Sequence, residues 1–400
     1  MRYASIVRRL DSKASRAWAI HAAAARRQAA GEDVILLSIG DPDFGTPVAV
    51  VERAFEALRA GRTRYGGFAG DPALREAVAR QQTRIQGREV APDEVTIFVG
   101  AQNALYAAAR CLVESGDEAV VFDPGYVTYE GVVAATGATR VDVLLDASRG
   151  FHLDPERLRA AITSRTRMLL LNTPHNPTGM VMRAEELAAI AELAREHDLW
   201  VVADEVYADL VFDVPHVSIA SLPGMAERSV VVGSVSKSHA MQGWRIGWTV
   251  APRELTGHLT NLIKPMHYGT APFVQDAAAF ALSTDLEEVG LMRAAYRRRR
   301  DLVWHRLEAV PGLRCSPPEG SMFLFVDVRG TGLDGEAFAE GLLDFAGVSL
   351  LPGSGFGPSV VGYVRLSLSA PEAVLERACD RIERYVEHLR RGAAGQRSGR

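Results

Sequence analysis

The sequence predicts an α/β protein: a large domain with a mostly parallel sheet flanked by helices, and a smaller α+β domain formed by the N-terminal arm and the C-terminal part. Three observations carry this expectation. Between Val95 and Val250, short apolar runs alternate with amphipathic segments. Several of those runs are apolar at nearly every position, as strands covered on both faces require. After about residue 283 the character changes, and a long charged helical pattern gives way to strands and helices in mixed order.

In chain order, residues 1–30 read as an arm with a helical stretch, rich in Ala and Arg from Ser15 to Ala30. In LLSIGDPDFGTP, Gly40, Pro42, Gly45 and Pro47 break any regular element and predict an ordered loop. Helical patterns at 48–60 and 73–86 flank the glycine-rich segment Tyr65–Gly70. The apolar runs follow at Val95–Val99, Ala119–Phe122, Met168–Leu171, Trp200–Ala203, Val230–Val232 and Ile246–Val250. One intervening helix shows Leu187, Ile190, Ala191 and Ala194 on one side and Glu186, Glu192 and Arg195 on the other. Strand–helix–strand repetition of this kind implies parallel strands with helices on both sides. The later elements are a helix from Leu286 to Ala309, the strand MFLFVD, a helix near Glu336–Asp344, the strand YVRLSL and a closing helix near 372–390. The expected partition is an arm with part of the small domain over 1–45, the large domain over 46–282, the small domain over 283–391, and a disordered tail over 392–400. No period of 20 to 50 residues recurs, which excludes solenoids and propellers.

Composition narrows the function classes. Lys and Arg total 45 against 49 for Asp and Glu, so the chain is mildly acidic and offers no electrostatic case for nucleic acid or an anionic membrane. The basic run Arg297–Arg300 sits in a helical pattern and reads as a solvated face or a subunit contact. Cys111, Cys315 and Cys379 show no CxxC spacing, which argues against a disulfide framework or a metal site. No run of eighteen apolar residues occurs, and MRYASIVRRLDSK lacks the apolar core of a signal peptide. The expectation is a soluble, cytoplasmic protein acting on small molecules.

Open α/β sheets bind ligands beyond the carboxyl ends of their strands, and five strand ends here carry chemistry. After Val99, Gly100-Ala101-Gln102-Asn103 opens a helix whose free amides attract an anion. Asp123-Pro124-Gly125-Tyr126 presents an aromatic ring, and Asn172 to Gly179 a turn able to fix the amide of Asn176. Asp204 and Glu205 follow Ala203, with Tyr207 close behind. The stretch VVVGSVSKSHAMQGWRIGW, Val230–Trp248, then places Lys237 among Ser234, Ser236 and Arg245. In a chain where arginine greatly outnumbers lysine, that amine stands out. Unlike a guanidinium, it can lose its proton at accessible pH and attack a carbonyl carbon. An anion cradle, a flat ring, an amide, a carboxylate with a phenol, and an amine together match a phosphorylated pyridine aldehyde, pyridoxal 5′-phosphate.

The chain resembles, along nearly its whole length, the class I/II aminotransferases of the fold-type I pyridoxal-phosphate enzymes. The matching motifs are Tyr65 with Gly70 and Leu74-Arg75, GAQNAL, DPGYVTY, NTPHNPTG, DEVY, SVSKSHAMQGWRIG and YVRLSL. The resemblance implies that Lys237 holds the cofactor as a Schiff base and then shuttles a proton, and that Asp204 pairs with the ring nitrogen. It implies that Tyr207 and Asn176 bond the phenolic oxygen and that Tyr126 stacks on the ring. Ser234, Ser236, Arg245 and the amides of Ala101 and Gln102 would bind the phosphate. Tyr65 would reach it from a second subunit, which implies a homodimer with shared sites. Arg365 would take the substrate α-carboxylate, helped by Asn176 and the backbone near Gly40. No metal is implied.

Among these enzymes, MRY, AWAIH, LLSIGDPDF, SLPGMAER and SKSHAM are most similar to bacterial arginine:pyruvate transaminases. That implies a basic L-amino acid as donor and pyruvate as the 2-oxo acid acceptor. A guanidinium calls for a carboxylate or an aromatic wall in the pocket, and Asp43, near the active-site loop, is the candidate carboxylate. Transamination of aspartate, aromatic or branched amino acids, or a lyase or oxidase reaction, stays open, because the reaction depends on which Cα bond stands perpendicular to the cofactor ring. Other classes fit less well. Ser234-Val-Ser-Lys237 matches the SxxK of serine acylases, but SDN and KTG are absent. GSGFG at 353–357 lacks the spacing of a dinucleotide fingerprint and reads as a loop of the small domain. A regulator built on this scaffold carries an N-terminal DNA-binding domain, for which the arm before residue 40 is too short.

Overall fold

The computed structural model describes residues 1–10 and 14–398. In chain order the elements are α1 (Ser5–Arg9), α2 (Ala14–Ala29), β1 (Ile35–Leu36), α3 (Val48–Arg59), α4 (Pro72–Gln86), β2 (Val95–Val99), α5 (Ala101–Leu112), β3 (Glu118–Asp123), α6 (Tyr129–Thr136), β4 (Thr139–Leu144), α7 (Pro155–Ala161), β5 (Thr166–Asn172), α8 (Ala184–Glu196), β6 (Trp200–Asp204), β7 (Ser229–Ser234), α9 (Val235–Ser238) and β8 (Ile246–Val250). There follow α10 (Arg253–Met266), α11 (Pro272–Ser283), α12 (Glu287–Glu308), β9 (Phe323–Asp327), α13 (Gly335–Ala346), β10 (Val348–Ser349), β11 (Leu351–Pro352), β12 (Tyr363–Ser367) and α14 (Glu372–Ser398).

Seven strands form one sheet in the order β2-β8-β7-β6-β5-β3-β4. β8 runs antiparallel to both neighbours, and the remaining pairs are parallel. The expected mostly parallel α/β sheet is therefore present. Most positions of its central strands are apolar because both faces are covered, with buried polar exceptions such as Thr96, Asn172 and Thr249. Val121, Leu170, Val202 and Val230 pack with residues of α5, α6 and α10, whereas Phe122, Leu171, Val201 and Ala203 pack with residues of α7 and α8. β4 had no counterpart among the expected strands. It is the edge strand, with half of its residues exposed, and its TRVDVL pattern mixes charges into the run.

A second group of strands gathers the two ends of the chain. β1 pairs in parallel with β10, and β11-β12-β9 form a three-stranded antiparallel sheet. Ile20, Val34 and Leu37 of the arm share one apolar core with residues of α12, β9, α13, β12 and α14. α1 instead lies on α6, where the Arg9 Nε donates to the Ala134 carbonyl at 2.8 Å. The closing helix runs on to Ser398, through most of the segment read as a tail; residues 399 and 400 lie outside the described residues. Among the described residues no helix is long and apolar enough to cross a membrane.

The basic run meets the expected solvated face only in part, with Arg297 and Arg298 exposed. Arg299 and Arg300 are buried, not solvated. Arg300 binds Asp213 and the Pro318 carbonyl at 2.6 and 3.1 Å. Arg299 grips Asp43 with both terminal nitrogens, at 2.7 and 2.9 Å. A buried guanidinium needs such a partner, and the two residues that supply it lie far away in sequence.

Candidate active site

Every expected site residue except Tyr65 and Asp43 lines one cavity of about 270 Å³ beyond the carboxyl ends of β3, β5, β6 and β7. Tyr65 is 87% exposed and lies edge-on to Tyr268, with ring centroids 5.1 Å apart. Asp43 does not line the cavity, and its carboxylate is held by Arg299. It is therefore not a free acid for a substrate guanidinium, which corrects that candidate.

Lys237 sits in the short helix α9 directly after β7. The Ser234 side chain caps this helix, accepting the Ser236 amide at 3.0 Å, and bonds the Ile246 carbonyl at 2.7 Å. The Lys237 Nζ donates to the Gly40 carbonyl at 2.6 Å. Burial lowers its pKa from 10.5 to about 8, partly opposed by Asp41. A free amine is thereby accessible near neutral pH. Gly40 has no room for a side chain, because a Cβ there would collide with the Phe323 ring.

Asp204, the last residue of β6, is buried. Its Oδ2 accepts the Tyr129 hydroxyl at 2.7 Å and its Oδ1 the Val206 amide at 3.3 Å. Burial raises its pKa to about 6, with the Tyr129 bond working in the opposite direction. Glu205, one position on, turns elsewhere, to His216 at 3.0 Å and Ser218 at 2.9 Å. Tyr129, the last residue of DPGYVTY, carries no role implied by the motif. Its spacing from Tyr126 places it at the first turn of α6, where its ring meets that of Tyr126 edge-on at 5.6 Å. Tyr207 is buried against Phe323, and burial raises the pKa of its phenol.

Other groups of the lining suit anions. α5 points its free N-terminal amides at the site, and Ser236 and Arg245 lie beside it. Gly100 caps α5 at φ 81°, and any side chain there would strike the Arg245 guanidinium. Arg365 on β12 is 2% exposed. It donates to Asn176 Oδ1 and to the Ser38 carbonyl, both at 2.9 Å, and lies over the Phe323 ring at 3.9 Å. Each terminal nitrogen carries a second N–H beyond the one these bonds use, so the fork retains donors for an incoming carboxylate. Among the described residues no cluster of His, Cys, Asp or Glu could hold a metal.

Comparison with known proteins gives a consistent picture. The family profile described as aminotransferase class I and II matches residues 32–382. The chain is 49% identical to the arginine–pyruvate transaminase AruH of Pseudomonas aeruginosa over 96% of this chain and 97% of that protein. It is 38% identical to an aspartate aminotransferase of Geobacillus stearothermophilus over 90% of this chain and 93% of that protein. Among solved structures, the aspartate aminotransferase of Thermus thermophilus with maleate superposes with a TM-score of 0.91 at 37% identity, covering 96% of this chain and all of that one. The aromatic aminotransferase of Pyrococcus horikoshii superposes with a TM-score of 0.88 at 38% identity, covering 92% of this chain and 99% of that one.

Proposed function

The chain belongs to the class I and II aminotransferases, and from that premise we propose that it moves the amino group of a basic L-amino acid, arginine-like, to pyruvate, using pyridoxal 5′-phosphate held at Lys237. The observation that carries the substrate reading is the 49% identity to an arginine–pyruvate transaminase across almost the full length of both chains.

The residues present fit the cofactor. A buried acid, an amine of lowered pKa and an anion cradle kept open by Gly100 stand around one cavity. Asp204 would hold the ring nitrogen, with Tyr207 and Asn176 at the phenolic oxygen and Tyr126 against the ring. Ser236, Arg245 and the amides of Ala101 and Gln102 would hold the phosphate, and Ser234 would act on it directly or by capping the turn that carries Ser236. When bound, the cofactor supplies a carbonyl that takes up amino groups and a ring that accepts electrons. Lys237 carries the proton to and from the substrate Cα, a task suited to an amine near its pKa. Arg365, which lines the cavity and keeps a spare N–H on each terminal nitrogen, receives the substrate α-carboxylate. Both partners of a transaminase carry that carboxylate, so one fork serves donor and acceptor in turn.

Arg365→Lys is expected to raise KM for donor and acceptor together and to lower kcat/KM by about 10²-fold, since a lone ammonium cannot reproduce a buried two-point pair. A kcat/KM within threefold of wild type, by steady-state kinetics with both substrates varied, would remove Arg365 from this role. The exposure of Tyr65 and Tyr268 supports a homodimer in which Tyr65 completes the phosphate site of the second subunit.

The activity itself is tested by offering a panel of L-amino acids with pyruvate and identifying the 2-oxo acid formed. Arginine should be the preferred donor. A preference for aspartate or phenylalanine of more than roughly tenfold in kcat/KM would sink the donor assignment, since discrimination of that size reflects the pocket. Release of ammonia or peroxide without a new amino acid would point to a lyase or oxidase.

A further inference from the structure

If the donor is basic, as proposed above, the cavity has an electrostatic problem. The single acid of its described lining, Asp204, is already bonded to Tyr129 and the Val206 amide and is assigned to the cofactor ring, so no carboxylate there is left for the distal cation. Asp43 is held by Arg299, and Asp41, close enough to act on Lys237, lies outside the lining. The lining does hold one electron-rich surface toward the arm. Trp18, on α2, is partly buried and packs against the apolar cluster containing Phe325, Phe356 and Tyr363.

We propose that Trp18 is the specificity-determining wall of the site, receiving the aliphatic stem and the cation of a basic donor on its indole face. Indole is the strongest of the aromatic partners for a cation, and desolvation strengthens the contact. Ser38 links the ring to Arg365. The Ser38 carbonyl accepts Arg365 Nη2 at 2.9 Å, while its hydroxyl lies 2.8 Å from His21 Nδ1 and receives Ser349 Oγ at 2.9 Å. His21 in turn stands edge-on to Trp18, with centroids 6.0 Å apart at 84°. Burial lowers the His21 pKa, so this neighbour is held neutral rather than competing as a cation. The α-carboxylate fork and the indole are thus held from a common point, and the distance between them selects donors by length as well as charge.

The test compares L-arginine with L-citrulline, its neutral near-isostere, as donors to pyruvate in wild type, Trp18→Phe, Trp18→Ala and Asp41→Asn. Each preference is a ratio measured within one variant, so losses of folded protein cancel. Wild type should prefer arginine in kcat/KM by roughly five- to thirtyfold, the range expected of a cation over a desolvated indole. Trp18→Ala should bring the ratio close to one, Trp18→Phe should fall between, and Asp41→Asn should keep it. Arginine preferred equally in wild type and Trp18→Ala, or a preference lost in Asp41→Asn and kept in Trp18→Ala, overturns the role of Trp18 and leaves the donor assignment standing. Absence of any preference for arginine over citrulline in wild type overturns the role of Trp18, while the donor assignment falls only if the amino-acid panel prefers aspartate or phenylalanine.

Discussion

Lys237→Ala is expected to lower kcat for transamination by at least ~10⁴-fold, because alanine removes both the nucleophilic amine and the only proton carrier proposed at the substrate Cα. The same variant should lack the absorbance band near roughly 400 nm that borohydride removes from the wild-type protein. A variant that kept the band, or a tenth of the wild-type rate, would show that another group does this work. The sign of the pH dependence follows from the burial of Lys237, which lowers its pKa from 10.5 to about 8. Only the neutral amine attacks a carbonyl. Capture of pyridoxal phosphate by protein stripped of it should therefore rise with pH through about 8 and then level off, rather than climb toward 10.5. Rapid-mixing absorbance across pH 6 to 10 or so would measure this directly.

Asp204→Asn is expected to lower kcat by about 10²- to 10³-fold, the scale of removing one preorganised electrostatic partner from a closed site. The substitution is isosteric, and Tyr129 can still donate to the amide oxygen. The other carboxylate oxygen, which accepts the Val206 amide, becomes a donor unless the amide is flipped. The loss should appear in kcat with little change in secondary structure or in thermal unfolding of the protein. A kcat within threefold of wild type would mean that the charge of Asp204 has no part in the reaction. Glu205→Gln is the natural control for a neighbouring charge, since Glu205 serves His216 and Ser218 on the far side of the strand end.

Much of this architecture was readable beforehand because its signals are local. Strands buried on both faces announce themselves as apolar runs, and open α/β sheets bind ligands beyond the carboxyl ends of those strands. β4 escaped because an edge strand has no need to be apolar throughout. The run Arg297–Arg300 was misleading for the opposite reason. Four consecutive arginines on a helix must point in different directions, and those that point inward are tolerated only where distant acids meet them. Arg299 meets Asp43, 256 residues away. Charge pairing across such separations leaves no periodic trace.

The same distinction divides the site. The sequence alone determined which chemical groups stand at the strand ends, Lys237, Asp204, Tyr126, Asn176 and the α5 amides, because each is placed by the strand immediately before it. Tertiary structure decided what those groups are joined to. It took Asp43 away from the substrate, set Tyr129 on Asp204, and used Ser38 to hold Arg365 while the arm brings Trp18 to the lining. These are contacts between segments brought together only when the sheet, the arm and the C-terminal strands pack, and burial in that packing is also what moves Lys237 and Asp204 toward neutral pH.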